Sequence, residues 1–327
     1  MRPFEFATPT AKEQAVSLLG ANWSDAQVLA GGTDLLALMK DDVVSPKRLV
    51  NIKSISGLNT VSFVAATGLR VGALVRLQEL ADNAEVRRHY PMLASAAGDA
   101  ASPQIRSMAT LGGNLCQRPR CWYFRNGFGL LPKDGEGKSL VLQGDNRYHA
   151  ILGNDGPAYF VSPSSVAPAL VALGARVRIF GAGGEREVPL EKFFVIPRGE
   201  NEREHDLKPN EIVTEILVPP SGGARTGNYE VRQKEAFDWP LATASVALAM
   251  NGNNVRSARV VLGHVAPVPW LSAEAEAALV GKTINEQTAD AAGRASVATA
   301  KSLGRNAYKI QLARVAVKRV LLQAAGG

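Results

Sequence analysis

The chain has 327 residues, 46% of them hydrophobic, with 37 Lys and Arg against 30 Asp and Glu and a formal net charge of +7. That is enough sequence for two or three small domains with cores of their own, and too apolar for a disordered chain. No run approaches the roughly 18 apolar residues of a membrane span. The basic residues are scattered, Val86-Arg87-Arg88-His89 being the densest group, so composition predicts neither a membrane span nor a nucleic-acid binder.

In chain order, Met1 to Phe6 lacks the long apolar core and small-residue cleavage site of a secretory signal. The pattern then predicts a helix over Ala11–Leu19, a strand at Gln27–Ala30, a helix over Leu35–Lys40 and a strand at Arg48–Ile52. A second unit opens near Leu58 with a hairpin, Thr60–Ala65 and Leu69–Gly72, turning at Thr67-Gly68. Helices follow at Leu77–Asn83 and, after Pro91, at Met92–Ala101. From Gln117 to about Pro157 the stretch is rich in Gly, Pro, Asn and Arg, and it is too long for an ordinary connection.

Regular structure resumes with a helix at Pro168–Leu173 and strands at Ala175–Phe180 and Ile212–Val218. Pro219-Pro220-Ser221-Gly222-Gly223 reads as a linker. Beyond it come strands at Tyr229–Arg232, Thr243–Met250 and Val255–Gly263, then helices over Leu271–Val280, Thr288–Ala300 and Ala307–Ala325. The expected division is 1–57, 58–220 with an insertion at about 117–157, and 221–327.

Two glycine loops carry the chemistry. Val28-Leu29-Ala30-Gly31-Gly32-Thr33-Asp34-Leu35 joins a strand to a helix, and Thr110-Leu111-Gly112-Gly113-Asn114 lies far from it in sequence. Paired glycines let backbone approach a ligand closely, and their N–H groups can cradle phosphate oxygens. Neither loop is a P-loop, and neither matches G-x-G-x-x-G, which argues against a simple NTPase and a Rossmann dehydrogenase.

These blocks, with Ala101-Ser102-Pro103-Gln104-Ile105-Arg106 and Phe237-Asp238-Trp239-Pro240-Leu241-Ala242, resemble the medium, FAD-binding subunit of the xanthine dehydrogenase family of molybdenum hydroxylases. That family includes carbon monoxide dehydrogenase, aldehyde oxidoreductase and 4-hydroxybenzoyl-CoA reductase. The resemblance implies an α+β fold: a two-part FAD-binding domain of the vanillyl-alcohol-oxidase (PCMH) type, then an α+β C-terminal domain like that of the carbon monoxide dehydrogenase flavoprotein. It also implies that Gly31, Gly32, Thr33 and Asp34, with Thr110, Gly113 and Asn114, hold the FAD pyrophosphate. Val28, Leu29, Ala30, Leu35, Ala101 and Gln117 flank them as further FAD-site residues.

The insertion is similar to that of the aldehyde oxidoreductase and 4-hydroxybenzoyl-CoA reductase flavin subunits, where four cysteines bind a [4Fe–4S] cluster. Here Cys121 alone sits at a matching place, and the other cysteine is Cys116, so the cluster is expected to be absent and the insertion structural. Relatives carry Pro-Ser-Asp where this chain has Pro163-Ser164-Ser165; Ser165 keeps a hydrogen-bonding group at the ribose or adenine end but brings no charge. Trp122 either lies against the flavin or adenine or anchors the insertion. Lys234 stands where relatives place a basic residue near the isoalloxazine, with Arg232 as the alternative and a plain surface lysine as the bland reading. His149 reads as a hydrogen-bonded loop residue.

The implied role is electron transfer, with no general base on this chain. Molybdopterin would sit on a large partner subunit and [2Fe–2S] clusters on a small one; FAD here would pass the electrons to an external acceptor. An aldehyde or aromatic compound is the expected substrate class. A cytoplasmic site is expected, with periplasmic export by a partner's signal as the alternative. The competing readings are a standalone FAD-dependent oxidase, for which the sequence offers no acid or base, and a basic scaffold or nucleic-acid-binding protein without flavin.

Overall fold

The computed structural model describes residues 1–233 and 237–326. Its strands form three sheets. The first is parallel, β1 (Glu5–Ala7), β3 (Arg48–Asn51) and β2 (Ala26–Leu29) in that spatial order, and helices at Lys12–Leu18 and Leu35–Lys40 make its crossovers. Ala15, Val16, Leu19, Ala26 and Val50 are buried between this sheet and the first helix.

The second sheet has five antiparallel strands in the order β4 (Val61–Val64), β5 (Gly68–Gly72), β8 (Glu211–Val218), β6 (Arg176–Gly181) and β7 (Gly184–Pro189). Its buried face packs on the helices Leu77–Asp82, Pro91–Asp99 and Ala167–Ala172, forming the largest core, in which Leu93, Ala97, Leu170, Val177 and Ile216 are closed to solvent. The sequence pattern misses β7, whose residues Gly-Glu-Arg-Glu-Val-Pro are charged. It forms because an edge strand needs only ladder bonds and cross-strand charge pairs, and Arg178 bonds Glu187 at 2.7 Å across the β6–β7 pair.

The third sheet is antiparallel, in the order β12 (Trp270–Leu271), β11 (Asn254–Gly263), β10 (Pro240–Asn251) and β9 (Arg225–Arg232). Central strand β10 alternates small residues so that both faces can be covered closely. Ala242, Ala244, Val246 and Leu248 pack among the C-terminal helices, and Thr243 and Ser245, also buried, point the other way toward the second unit. The helix Tyr308–Gly326 buries Ala313, Ala316, Val317, Val320, Leu321 and Ala324, a spacing of three and four that makes one apolar face. The predicted helix over 271–280 begins two residues later, at Ala273, because Trp270-Leu271 pairs with β11 and Ser272 caps the helix through Ala275 N. No helix among the described residues is long and apolar enough to cross a membrane.

A buried polar knot ties this third unit to the insertion. The Lys309 ammonium donates to the carbonyls of Tyr148, His149 and His264 at 3.1, 3.2 and 2.7 Å. Asn306 Nδ2 donates to His149 O and Ala150 O at 3.2 and 2.9 Å, and Asn146 Nδ2 donates to Leu303 O at 2.7 Å. His264 takes a left-handed backbone conformation (φ 61°) and sets its Nδ1 3.0 Å from Thr243 Oγ1.

Burial pushes the His264 imidazole down to about 3 from an ordinary 6.5. The unfolded chain therefore takes a proton at this residue as pH falls through 6.5, while the folded chain does not, so stability present above 6.5 is lost progressively toward pH 3. His149, held down to about 4, acts in the same direction, whereas Glu230, pushed up to about 7, opposes it by favouring the folded state at low pH. Substituting His264→Asn isolates the first contribution. The stability advantage of wild type over the variant, read from urea denaturation, is expected to shrink between pH 6.5 and pH 5; a difference constant across that range would contradict the assignment.

Candidate functional site

The two glycine loops meet. A β-carbon on Gly31 would fall 2.0 Å from the Met108 carbonyl oxygen, so this position is glycine because two backbones touch there. Gly32 is glycine for a different reason, its φ of +75°. Ladder pairing of β2 with β3 ends at Leu29–Asn51, and the next helix makes its first bond from Leu36 N to Gly32 O. Between these points the N–H groups of Gly31, Gly32, Thr33 and Asp34 donate to no acceptor among the described residues. Four consecutive residues at the cleft wall thus carry amides with no protein acceptor, a pattern shared with backbone anion sites.

The second loop is built differently from the expectation. It is the first turn of a short helix, Leu111–Leu115, capped by Thr110 Oγ1, which accepts from Gly113 N at 3.2 Å. Leu111 N and Gly112 N donate to Val75 O and Ala73 O. Its amides are therefore mostly consumed by the fold, and what it presents to the cleft is the Gly113 surface and the side chain of Asn114, whose Oδ1 accepts from Ser164 Oγ at 2.6 Å.

Two cavities flank this contact and share Thr33, Asp34, Gly113 and Gln117 as a common waist. The smaller lobe, about 160 Å³, is walled by Val28, Ala30, Leu35, Trp23 and His205 and also touches Gly31, Gly32 and Thr110. The larger, about 380 Å³, is walled by Ala101, Asn114, Ser165, Arg232 and Trp239. Two lobes joined at a narrow waist have the outline of a molecule made of two ring systems joined by a linker. Ala101 holds a left-handed conformation (φ 50°) with its carbonyl pinned by Arg106 Nη1 at 2.8 Å, which brings its backbone to the larger lobe.

Most residues expected in the site are thus brought together, with three exceptions. Leu29 turns its side chain into a small core with Met39 and Leu49 and lines neither lobe. Trp122 lines a separate third cavity with Tyr148 and His149, because its indole Nε1 donates to Asp145 O at 3.1 Å within the insertion; of the two readings the structure supports the anchoring one. Lys234 lies outside the described residues. Ser165, expected at the ribose or adenine end, shares the larger lobe with Arg232, the alternative basic residue for the isoalloxazine, so the two residues face one end of the cleft.

Asp34 has a role that its sequence context did not reveal. Its Oδ1 accepts from Arg120 at 2.9 Å and Arg125 at 2.8 Å, and its Oδ2 accepts from Arg118 N at 2.8 Å. One carboxylate thus clips the start of the insertion to the first glycine loop. Arg118 pairs in turn with buried Glu204, beside His205, which stacks on Phe193 and meets Trp23 edge-on. Arg232 binds buried Glu230 through Nε at 3.1 Å; burial pushes that carboxyl up to about 7 although the guanidinium opposes the shift. Trp23, Arg118, Arg120 and His205 escaped the sequence reading; the run of three arginines at 118, 120 and 125 opposite a lone Asp34 was the available signal.

The insertion folds without any cluster-like ligand set. Phe124, Leu130, Leu131, Ala158 and Phe160 form a small core that also takes Leu38 from the first unit. Cys116 lines the smaller lobe and Cys121 the third cavity; both are free thiols, pushed up by burial, Cys116 to about 12. Cys121 Sγ lies 3.2 Å from His149 Nε2, and among the described residues no three His, Cys, Asp or Glu side chains gather as a metal site. One thiol and one imidazole do not fit a four-iron cluster.

Comparison with known proteins agrees with this geometry. The family pattern described as the FAD-binding domain in molybdopterin dehydrogenase matches residues 2–221, and that of the carbon monoxide dehydrogenase flavoprotein C-terminal domain matches 228–324. The aldehyde oxidoreductase FAD-binding subunit PaoB of Escherichia coli K12 is 34% identical over 301 residues, 91% of each chain. The medium chain of carbon monoxide dehydrogenase from Hydrogenophaga pseudoflava is 29% identical over 97% of this chain and 96% of its own. A solved carbon monoxide dehydrogenase of that organism superposes with a TM-score of 0.76 at 30% identity, covering 100% of this chain and 99% of the other.

Asp34→Ala would leave Arg125, which is 15% exposed, and Arg120 without their carboxylate. Loss of one partner from such a buried set costs about 3 kcal/mol or more. The variant is expected to melt at lower temperature and to be cut by protease within 117–157 before wild type; unchanged melting and cleavage would show that the clip holds nothing.

Proposed function

The chain belongs to the family of FAD-binding subunits of molybdopterin dehydrogenases, and on that premise we propose that it is the electron-transfer subunit of a molybdenum hydroxylase complex acting on an aldehyde or aromatic substrate. As a member of that family it is an oxidoreductase subunit with FAD as its cofactor. Bound FAD supplies the capacity to take up and release one or two electrons. The four unspent amides of Gly31 to Asp34 carry the reading, since they suit a pyrophosphate. Thr33, Gly113, Asn114 and Gln117 line the same waist. The larger lobe takes the isoalloxazine, the larger ring system, beside Arg232 and Ser165; the smaller takes the adenine beside Trp23.

In this reading a small partner subunit would hold [2Fe–2S] clusters and a large one molybdopterin, and the FAD held by this chain would supply the link to an external acceptor. A standalone oxidase would need a free acid or base over the flavin. In the larger lobe Asp34 is spent on arginines, and Asp238 lies exposed at the rim. The proposed units are 1–57, 58–220 and 221–327, with the insertion an iron-free structural element.

Purified chain is expected to show a two-band flavin spectrum, to release stoichiometric FAD on denaturation, and to contain negligible iron after anaerobic purification. Failure to take up FAD would overturn the function; several irons per chain would overturn only the account of the insertion. Arg232 supplies positive charge that favours reduced, anionic flavin. Arg232→Gln is therefore expected to lower the flavin midpoint potential by about 30 mV or more, equivalent to about 1.4 kcal/mol for a two-electron couple. An unchanged potential in a protein that still binds FAD would remove Arg232 from this role.

A further inference from the structure

A third cavity, about 290 Å³, lies between the two ends of the insertion and the C-terminal unit. It shares Arg120, Asp238, Trp239 and Pro240 with the larger lobe, so one layer of side chains separates the two spaces. Part of its wall is held by buried hydrogen bonds. Lys309 holds the carbonyls of Tyr148, His149 and His264, all three of which line the cavity, and Asn306 holds those of His149 and Ala150. A cavity built this way binds without first paying to order that part of its wall.

The lining defines the ligand. Trp122 and Tyr148 meet edge-on at 5.5 Å, and Phe160 and Trp239 add further flat apolar surface. The two imidazoles, His149 and His264, are held neutral by burial. Lys309 spends its three hydrogens on carbonyls. Arg120 is different: its guanidinium lies over the Trp239 ring at 4.7 Å, and its Nε–H is buried with no acceptor among the described residues. Flat aromatic walls with a guanidinium stacked on one of them suit a neutral planar ring that carries carbonyl oxygens. The volume holds one ring or a fused pair, not a dinucleotide and not a protein side.

We propose that this cavity is a quinone-binding site. Its purpose rests on the flavin reading, because a bound quinone that takes two electrons and one proton from the reduced, anionic cofactor, and a second proton from water, leaves as the hydroquinone and the cofactor is left oxidised. Its existence does not, because every wall named above is protein.

The test uses the full chain, with FAD and without it, and tetramethyl-1,4-benzoquinone, whose substituted ring cannot add to thiols. Equilibrium dialysis is expected to show saturable binding of one quinone per chain in both forms. Leu241→Trp, which fills the cavity from β10, and Tyr148→Ala, which removes a wall at a partly exposed position, are each expected to raise Kd about tenfold, or about 1.4 kcal/mol. The flavin spectrum should not change in either variant. Tyr148→Ala keeps the test alive should Leu241→Trp not fold. Quinone uptake that never saturates, or a Kd untouched by Tyr148→Ala, overturns the proposal. A chain that takes up no FAD yet binds quinone as described would defeat the electron-transfer function and leave the site standing; a flavoprotein that binds no quinone would do the reverse.

Discussion

The cleft depends on one contact, the backbone of Gly31 lying against the Met108 carbonyl with no room for a β-carbon. These segments belong to different units, and where they touch the parallel sheet and the five-stranded sheet with its helices are brought to a common edge. The same contact explains why amides are available. β2 ends at Leu29, so the ladder can use no N–H beyond it. The helix that follows begins at Leu35, and the opening amides of any helix have no partner within it. Gly31 to Asp34 fall in that gap, pressed close to the opposite loop, and line the cavity beside it. A wider approach at residue 31 would separate the waist from the Gly113 surface that completes it.

The insertion is the second structural problem, because a stretch poor in periodicity has to be held by something other than repeated secondary structure. It is held by polar groups at both ends. At its start one carboxylate, Asp34, accepts from two guanidinium groups and a backbone amide. At its end Asn146, Asn306 and Lys309 take up carbonyls that would otherwise be buried without donors. Between them a small apolar core around Phe124 and Phe160 excludes water. Buried unsatisfied carbonyls cost about 1–3 kcal/mol each, so these three side chains decide whether the segment packs at all. A metal cluster is one way to order such a loop; here the ordering comes from donors on the C-terminal helix and its preceding turn.

Much of this was legible in the sequence. Strands with clear apolar alternation, β10 and β11 among them, and the long final helix follow from periodicity alone, and the blocks around Gly31-Gly32 and Gly112-Gly113 identified the family. What escaped has physical causes. β7 is a charged edge strand without an apolar face. The 84–89 helix is one turn and a half, joined to its neighbour by Asn83, which caps it through Val86 N; such short pieces carry no periodic signal. The inward turn of Leu29 and the removal of Trp122 from the cleft depend on which face a residue presents, which a one-residue shift reverses. Asp34 was read as a ligand group because it sits in the loop. Its engagement by arginines 84 to 91 residues away is a tertiary fact that no local pattern contains.

The charges around the cleft suit a negatively charged cofactor. Asp34 with Arg120 and Arg125 sums to one positive charge next to the unspent amides, which suits a doubly negative pyrophosphate better than a bare carboxylate would. Arg118 is cancelled by Glu204, so it contributes structure and little field. In the larger lobe Arg232 faces a carboxyl whose burial raises it to about 7, so near neutral pH that pair keeps part of its positive charge. Positive groups thus stand both at the waist and in the larger lobe, which favours a cofactor that gains negative charge on reduction. Of the titratable groups near the cleft, His205 is buried and held below its ordinary range, Glu230 is committed to Arg232, and Asp238 lies exposed in the larger lobe. A cleft so charged suits a cofactor that gains negative charge on reduction, in keeping with the chain's place among FAD-binding subunits.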